Sequence, residues 1–222
     1  MKPLLVINTK AYESATGVKA LKLAEICESI ANELNVAIML AVQPSDVFLV
    51  ASQVSIPILS QHCDANYGAF TGSVTAKSLL DNCAYGTMLN HSEHRVNEET
   101  IRKVIEECKK LKLKVLLCVA SLEEARKYKD LKPDYMAFEE PSLIGGNLSI
   151  TQALPKSVEG FARLCRNAGI SPLCGAGIKR GEDFLAAIEL GCDGVLVASA
   201  VAKAANQREA ILELCSKVVE KR

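Results

Sequence analysis

Several short segments of this 222-residue chain carry side chains able to move a proton beside an anionic group. Asn8-Thr9-Lys10 closes the first apolar run and offers a fixed cation to an anionic ligand. Asn90-His91-Ser92-Glu93-His94-Arg95 closes another. Ser92-Glu93 reads as a helix start, and an imidazole against a helix N-terminus has its cationic form disfavoured. A neutral His91 could then donate a hydrogen bond to a carbonyl. Glu139 leaves a further apolar run with Glu140 beside it. Desolvation at such a strand end raises a carboxylate's basicity toward that of a general base. Residues 141–147 then begin with Pro141, stay apolar and finish Gly145-Gly146-Asn147, the make-up of a stiff lid hinged at both ends. Small residues in Cys174-Gly175-Ala176-Gly177-Ile178 and Val197-Ala198-Ser199-Ala200 let backbone N–H groups approach a phosphate.

Taken singly, each segment has a plainer reading. Lys10 reads as a solvated loop lysine, His91 as part of a structural polar cluster, and Glu139 with Glu140 as two solvated loop acids. A lone Gly-x-Gly is an ordinary turn. His91-x-x-His94 has the spacing of a metal pair but no third ligand at a recognisable distance. Joint meaning comes from where the segments fall along the chain.

Apolar runs of strand length recur at Leu4–Asn8, Ala37–Val42, 56–62, 85–90, 115–119, 135–139, 172–175 and 194–199. They are continuous rather than alternating, as expected of parallel strands covered on both faces. Amphipathic stretches at helical period lie between them, clearest at Val18–Leu34 and 98–113; the latter gathers Ile101, Val104, Ile105 and Cys108 on one face. Asn97-Glu98-Glu99-Thr100 and Ser121-Leu122-Glu123-Glu124 read as capped helix starts. Eight such alternations in 222 residues, about 28 per unit, predict one compact (β/α)8 TIM barrel over 1–222, with eight parallel strands inside a ring of helices. Active sites of such barrels form where strands pass into their βα loops, which is where the segments above fall.

Composition removes other classes. Lys+Arg and Asp+Glu are equal at 26 each, so no broad positive field invites nucleic acid. The first apolar run is too short for a signal peptide or a membrane span, which predicts a cytoplasmic protein. The nine cysteines form no C-x-x-C pair and lie mostly in apolar runs, as buried free thiols of a reducing compartment do.

With a cation after the first strand, a histidine after the fourth, a carboxylate after the sixth and small residues after the seventh and eighth, the chain resembles the triosephosphate isomerase family over its whole length. Asn8-x-Lys10, His91-Ser92-Glu93-x-Arg95 and Glu139-x-Pro141…Ile144-Gly145 are similar to that family's three signature segments in order and spacing. Gly68-Ala69-Phe70-Thr71-Gly72 looks like its protruding dimer loop. The short length, the segment 90–95 and Gly175-Ala176-Gly177-Ile178 resemble the compact archaeal branch.

The resemblance implies interconversion of dihydroxyacetone phosphate and D-glyceraldehyde 3-phosphate through an enediolate, in glycolysis and gluconeogenesis, with no cofactor and no metal. It implies Glu139 as base, neutral His91 as electrophile, Lys10 as the cation, Asn8 as its positioner and Glu93 as a supporting carboxylate. The phosphate would rest on the N–H groups of Gly145, Gly177, Ala198 and Ser199. The assembly would be a homo-oligomer joined through Thr71 and Gly72, a tetramer in the archaeal branch.

The chain departs from the family pattern in three places. Glu140 intervenes between Glu139 and Pro141; Glu139 is taken as the base because it stands six residues before Gly145, and a slip of one would select Glu140. Cys174-Gly175-Ala176-Gly177 replaces Tyr-Gly-Gly-Ser, and Ala198-Ser199 replaces Gly-Gly. The alternatives are another phosphate-binding barrel, such as an indole or histidine pathway enzyme, and a catalytically inactive barrel acting as a sensor or scaffold.

Overall fold

The computed structural model describes residues 2–146 and 148–221. Its strands are β1 (Leu4–Asn8), β2 (Ala37–Val42), β3 (Ile58–Ser60), β4 (Gly86–Leu89), β5 (Lys114–Val119), β6 (Tyr135–Phe138), β7 (Ser171–Gly175) and β8 (Gly194–Val197). Each pairs in parallel with the next, and β8 returns to β1, so the sheet is a closed barrel. Helices α1 (Val18–Leu34), α2 (Val47–Ala51), α3 (Ala76–Asp81), α4 (Glu98–Lys110) and α5 (Leu122–Tyr128) follow the first five strands. After β6 come α6 (Ile150–Ala153) and α7 (Pro155–Asn167), after β7 comes α8 (Gly181–Glu189), and after β8 come α9 (Ser199–Ala202) and α10 (Gln207–Glu220). The (β/α)8 barrel read from the sequence is the observed fold.

Where the strand and helix bounds differ from expectation, the backbone shows why. The run 56–62 contributes only Ile58–Ser60; the Gln61 N–H still bonds Val42 O at 2.9 Å, while the Gln61 and His62 side chains turn to partners near the barrel mouth. The helix expected over 98–113 stops at Lys110, and Lys112 turns left-handed with φ 60° so that Leu113 can enter the core. Caps form as read: Asn97 Oδ1 accepts the Thr100 N–H at 2.8 Å, and Ser121 Oγ accepts the Glu124 N–H at 3.1 Å. Eight of the nine cysteines are buried and unpaired, and Cys83 is exposed.

Two apolar layers follow from the two-residue period of the strands. Leu4, Val6, Met39, Ala41, Leu59, Met88, Leu116, Cys118, Ala137, Leu173 and Leu196 fill the barrel interior. Their alternates, such as Leu5, Ile7, Met136, Phe138 and Cys174, pack outward against the helices. This phase places the mouth of the barrel. Continuing inward from Leu4 and Val6 gives Asn8; from Ala137, Glu139; from Leu173, Gly175; from Leu196, Ala198. Glu140 falls on the other phase, with Phe138.

Candidate active site

A cavity of about 230 Å³ opens at the carboxyl ends of the strands. Asn8, Lys10, His91, Glu93, Glu139, Gly145, Gly177, Ala198 and Ser199 all line it, so the fold gathers the chemical segments into one place. Tyr12, Ala176 and Lys179 line it as well. Lys179 could have been suspected from the sequence as a cation just past the Gly-Ala-Gly-Ile turn.

Lys10 reaches the cavity from a left-handed backbone, φ 48°, which a side-chain-bearing residue adopts only when its surroundings hold it there. Both ends of the residue are clamped. Asn8 Oδ1 accepts the Lys10 N–H at 2.9 Å, and Gln61 Nε2 donates to Lys10 O at 3.0 Å and to Thr9 Oγ1 at 2.9 Å. Gln61 was not singled out in the sequence; its signal was a polar residue ending an apolar run. Lys10 Nζ lies 2.6 Å from Glu93 Oε1.

The turn carrying His91 corrects one expectation. Ser92-Glu93 does not begin a helix: Asn90 is left-handed at φ 63°, residues 91–94 form a turn closed by the His94 N–H on His91 O at 2.8 Å, and the helix starts only at Glu98. The ring is nevertheless disposed to stay neutral, by a different route. Burial and the Lys10 ammonium hold its pKa below the ordinary value, with Glu93 opposing. The Glu93 N–H donates to His91 Nδ1 at 3.2 Å, so Nδ1 is the acceptor and the ring proton sits on Nε2. Glu93 Oε2 stands 3.6 Å from Nδ1, close enough for an ion pair. The backbone donor on Nδ1 decides against one, because a cationic ring has no lone pair to offer it.

Glu139 is buried, 7% exposed, and its Oε2 has no hydrogen-bond partner. That oxygen lies 3.3 Å from His91 Nε2 without the alignment of a hydrogen bond. Desolvation drives the carboxyl pKa from its ordinary 4.5 to about 7; the nearby Lys10 charge pulls it back and Glu93 pushes it further up. Glycine at 175 makes room for this side chain, since a Cβ there would meet Glu139 Oε1 at 2.6 Å and Leu196 O at 2.9 Å. Glu140 does not line the cavity; its Oε1 accepts from Ser142 Oγ at 3.2 Å, bracing the start of the lid.

The lid segment begins with a short 3-10 turn, Pro141–Leu143, and reaches Gly145 at φ 73° over the cavity. Asn147, the last residue read as lid, lies outside the described residues. Beyond it, Leu148 O packs where a Cβ on Gly177 would come within 2.1 Å, and the Ile150 N–H bonds Ala176 O at 3.1 Å. The far end of the lid and the turn after β7 are thereby joined. Thr71 and Gly72 sit on an exposed loop, and Thr71 does not line its own chain's cavity.

A carboxylate poised to titrate near neutrality, facing a ring N–H and an ammonium across a pocket open to small molecules, marks the class of acid–base barrel enzymes that enolise a carbonyl substrate. Sequence comparison narrows the class. The triosephosphate isomerase family model matches residues 3–218. Triosephosphate isomerase of Methanocaldococcus jannaschii is 41% identical over 214 residues, 95% of this chain and 98% of that one. The Methanosarcina acetivorans enzyme of the same name is 38% identical, covering 96% and 97%, and that of Methanothermobacter thermautotrophicus 39%, covering 97% and 96%. This chain belongs to the triosephosphate isomerase family.

Proposed function

We propose that Glu139, His91 and Lys10 carry the family's reaction, the interconversion of dihydroxyacetone phosphate and D-glyceraldehyde 3-phosphate, within one barrel domain. The observation behind this reading is the buried, unpartnered Glu139 Oε2 set 3.3 Å from the ring nitrogen that holds the proton. In the forward direction Glu139 takes a proton from the hydroxymethyl carbon while His91 Nε2–H donates to the carbonyl oxygen. The enediolate that forms places negative charge beside Lys10, whose ammonium stabilises it. His91 then relays a proton between the two oxygens, and Glu139 returns its proton to the neighbouring carbon. Asn8 holds Lys10 in register, and Glu93 does so from the side chain. The phosphate rests on the N–H groups of Gly145, Gly177, Ala198 and Ser199, and the lid keeps water from an intermediate that would otherwise expel phosphate. The test is a coupled assay reading dihydroxyacetone phosphate through its NADH-dependent reduction, with Glu139→Gln alongside. Turnover absent from the folded wild-type protein would overturn the reading.

The pH profile has a fixed sign. A base must be unprotonated in the free enzyme, so kcat/KM should fall as pH drops through about 7, the value to which burial pushes Glu139. His91, held below its ordinary range, contributes no loss on the alkaline side. A profile flat from pH 8 to pH 5.5, after correction for substrate phosphate ionisation, would remove Glu139 as the base.

The same reading extends to assembly. The chain acts as a homo-oligomer in which the loop around Thr71 and Gly72 reaches a neighbouring copy's site, with a tetramer as the full assembly and the cytoplasm as its location. Tyr67 and Phe70 support this as large exposed apolar side chains on that loop, 44% and 56% exposed. A second cavity of about 420 Å³ beside the site, sharing Asn8, Lys10, His91 and Glu93, offers a receptor for it. No helix among the described residues is long and apolar enough to cross a membrane. Light scattering should give four times the 23.9 kDa chain mass, and a monomer mass at micromolar concentration would refute the assembly.

A further inference from the structure

His62, just past β3, and His94, in the turn after β4, lie face to face with ring centroids 4.1 Å apart and planes 18° from parallel. Neither lines the catalytic cavity, and the reaction above uses neither. Each ring is tied to something different. His62 Nε2 is 3.0 Å from Asp64 Oδ1, while Asp64 Oδ2 accepts the Val74 N–H at 2.8 Å and the Asp64 N–H donates to Val74 O at 2.7 Å. Asp64 thus closes the base of the exposed loop 65–74. On the other side, the His94 N–H closes the turn that aims His91 and Glu93 into the site. The stack is therefore a joint between a braced loop base and the short turn on which the His91 tautomer depends.

We propose that His94 is a positioning residue which, by stacking on His62, pins the 91–94 turn against the end of β3, and that this joint opens when both rings carry a proton. The inference rests on the assignment of His91 as the electrophile. A neutral pair stacks, and so does a pair carrying one charge, because a cation over a neutral ring is attracted to its face. Two imidazolium rings at this separation repel. Among the described residues Asp64 is the carboxylate bonded to either ring, and it offsets one charge rather than two. Within the same chain, the other ionisable groups facing the pair across the adjoining cavity are Glu93, Lys10 and His91, and Glu93 is already engaged by Lys10. Consistent with this, burial and His62 hold His94 below its ordinary range, with Asp64 opposing. When the rings part, the turn moves, the Glu93 N–H leaves His91 Nδ1, and the ring proton is no longer confined to Nε2.

His94→Phe keeps a flat face that cannot be charged; His94→Ala removes the face. At about pH 8 the alanine variant should lose roughly fivefold in kcat with KM changed less, and phenylalanine should restore it. The ratio of kcat/KM between His94→Phe and wild type cancels the titration of Glu139 and of substrate phosphate, which both enzymes share. That ratio should stay within about twofold of one from pH 9 to pH 7 and rise to roughly tenfold by pH 5. A ratio flat over the whole range, or a phenylalanine variant no better than alanine, overturns the proposal. Imidazole ¹⁵N NMR reads the joint without substrate. In wild type the His91 signals should pass from one tautomer to a mixture on acidification, and in His94→Phe they should not. Wild-type signals unchanged to pH 5 also overturn it. Since the spectrum needs no turnover, failure of the isomerase reading would leave this result interpretable.

Discussion

Glu139→Gln should lower kcat by about 10³-fold, the contribution of a positioned general base, while KM changes little. The amide has nearly the shape of the carboxylate, so the cavity wall and the fit against Gly175 persist and only the ability to take a proton is lost. Stability should move the other way. The Glu139 carboxyl is pushed from 4.5 to about 7 in the folded protein, so between those values the native state holds more protons than the unfolded chain. Stability therefore declines as pH rises through this window, and the full cost, about 3 kcal/mol for a shift of that size, is present above it. Glu139→Gln removes that cost and should melt at a higher temperature than wild type at pH 8. Glu140→Gln should keep near-wild-type kcat, because Glu140 sits outside the cavity and braces Ser142. Collapse in the Glu140 variant with activity retained in the Glu139 variant would show that the base had been assigned one residue out of place.

Lys10→Met should cost about 10²- to 10³-fold in kcat/KM, the scale of losing one preorganised charge aimed at a developing anion. The loss should appear in both kcat and KM, since the ammonium faces a substrate that is already anionic and an intermediate that is more so. Little of it should come from unfolding. Methionine follows the path of the lysine stem, and the ion partner Glu93 is 56% exposed, so its carboxylate regains water when Lys10 is gone. Thermal melts alongside the kinetics separate the two effects. A variant that melts as wild type does and also turns over as wild type does would remove Lys10 from the mechanism.

The barrel was readable because eight apolar runs alternate with capped amphipathic stretches, and parallel strands buried on both faces leave that signature. The chemical residues were readable because each, Gly145 of the lid aside, lies at or just past the end of such a run. Continuous hydrophobicity hides which residues of a run point inward, however, and that phase is what separates Glu139 from Glu140. Closure of the barrel sets it: once Ala137 faces the interior, Glu139 must, and Gly175 must be bare to admit it.

The neutral state of His91 was expected, but from a helix start that does not exist. A left-handed Asn90 turns the chain, and burial, the Lys10 ammonium and a single backbone N–H on Nδ1 keep the ring neutral where a helix terminus was expected to. Gln61 and the His62–His94 stack were not foreseen, since their partners are 51 and 32 residues away in the chain and no local pattern encodes such pairings. The elements, their order and the types of group at the mouth were legible in the chain, because these depend on local periodicity and on residues adjacent in it. Spacing to Gly145 already favoured Glu139 over Glu140, and the barrel's inward phase at Ala137 supplies the reason; only the closed fold settles which ring nitrogen holds the proton and what clamps Lys10. Those depend on desolvation and on contacts between strands that meet only when the sheet closes.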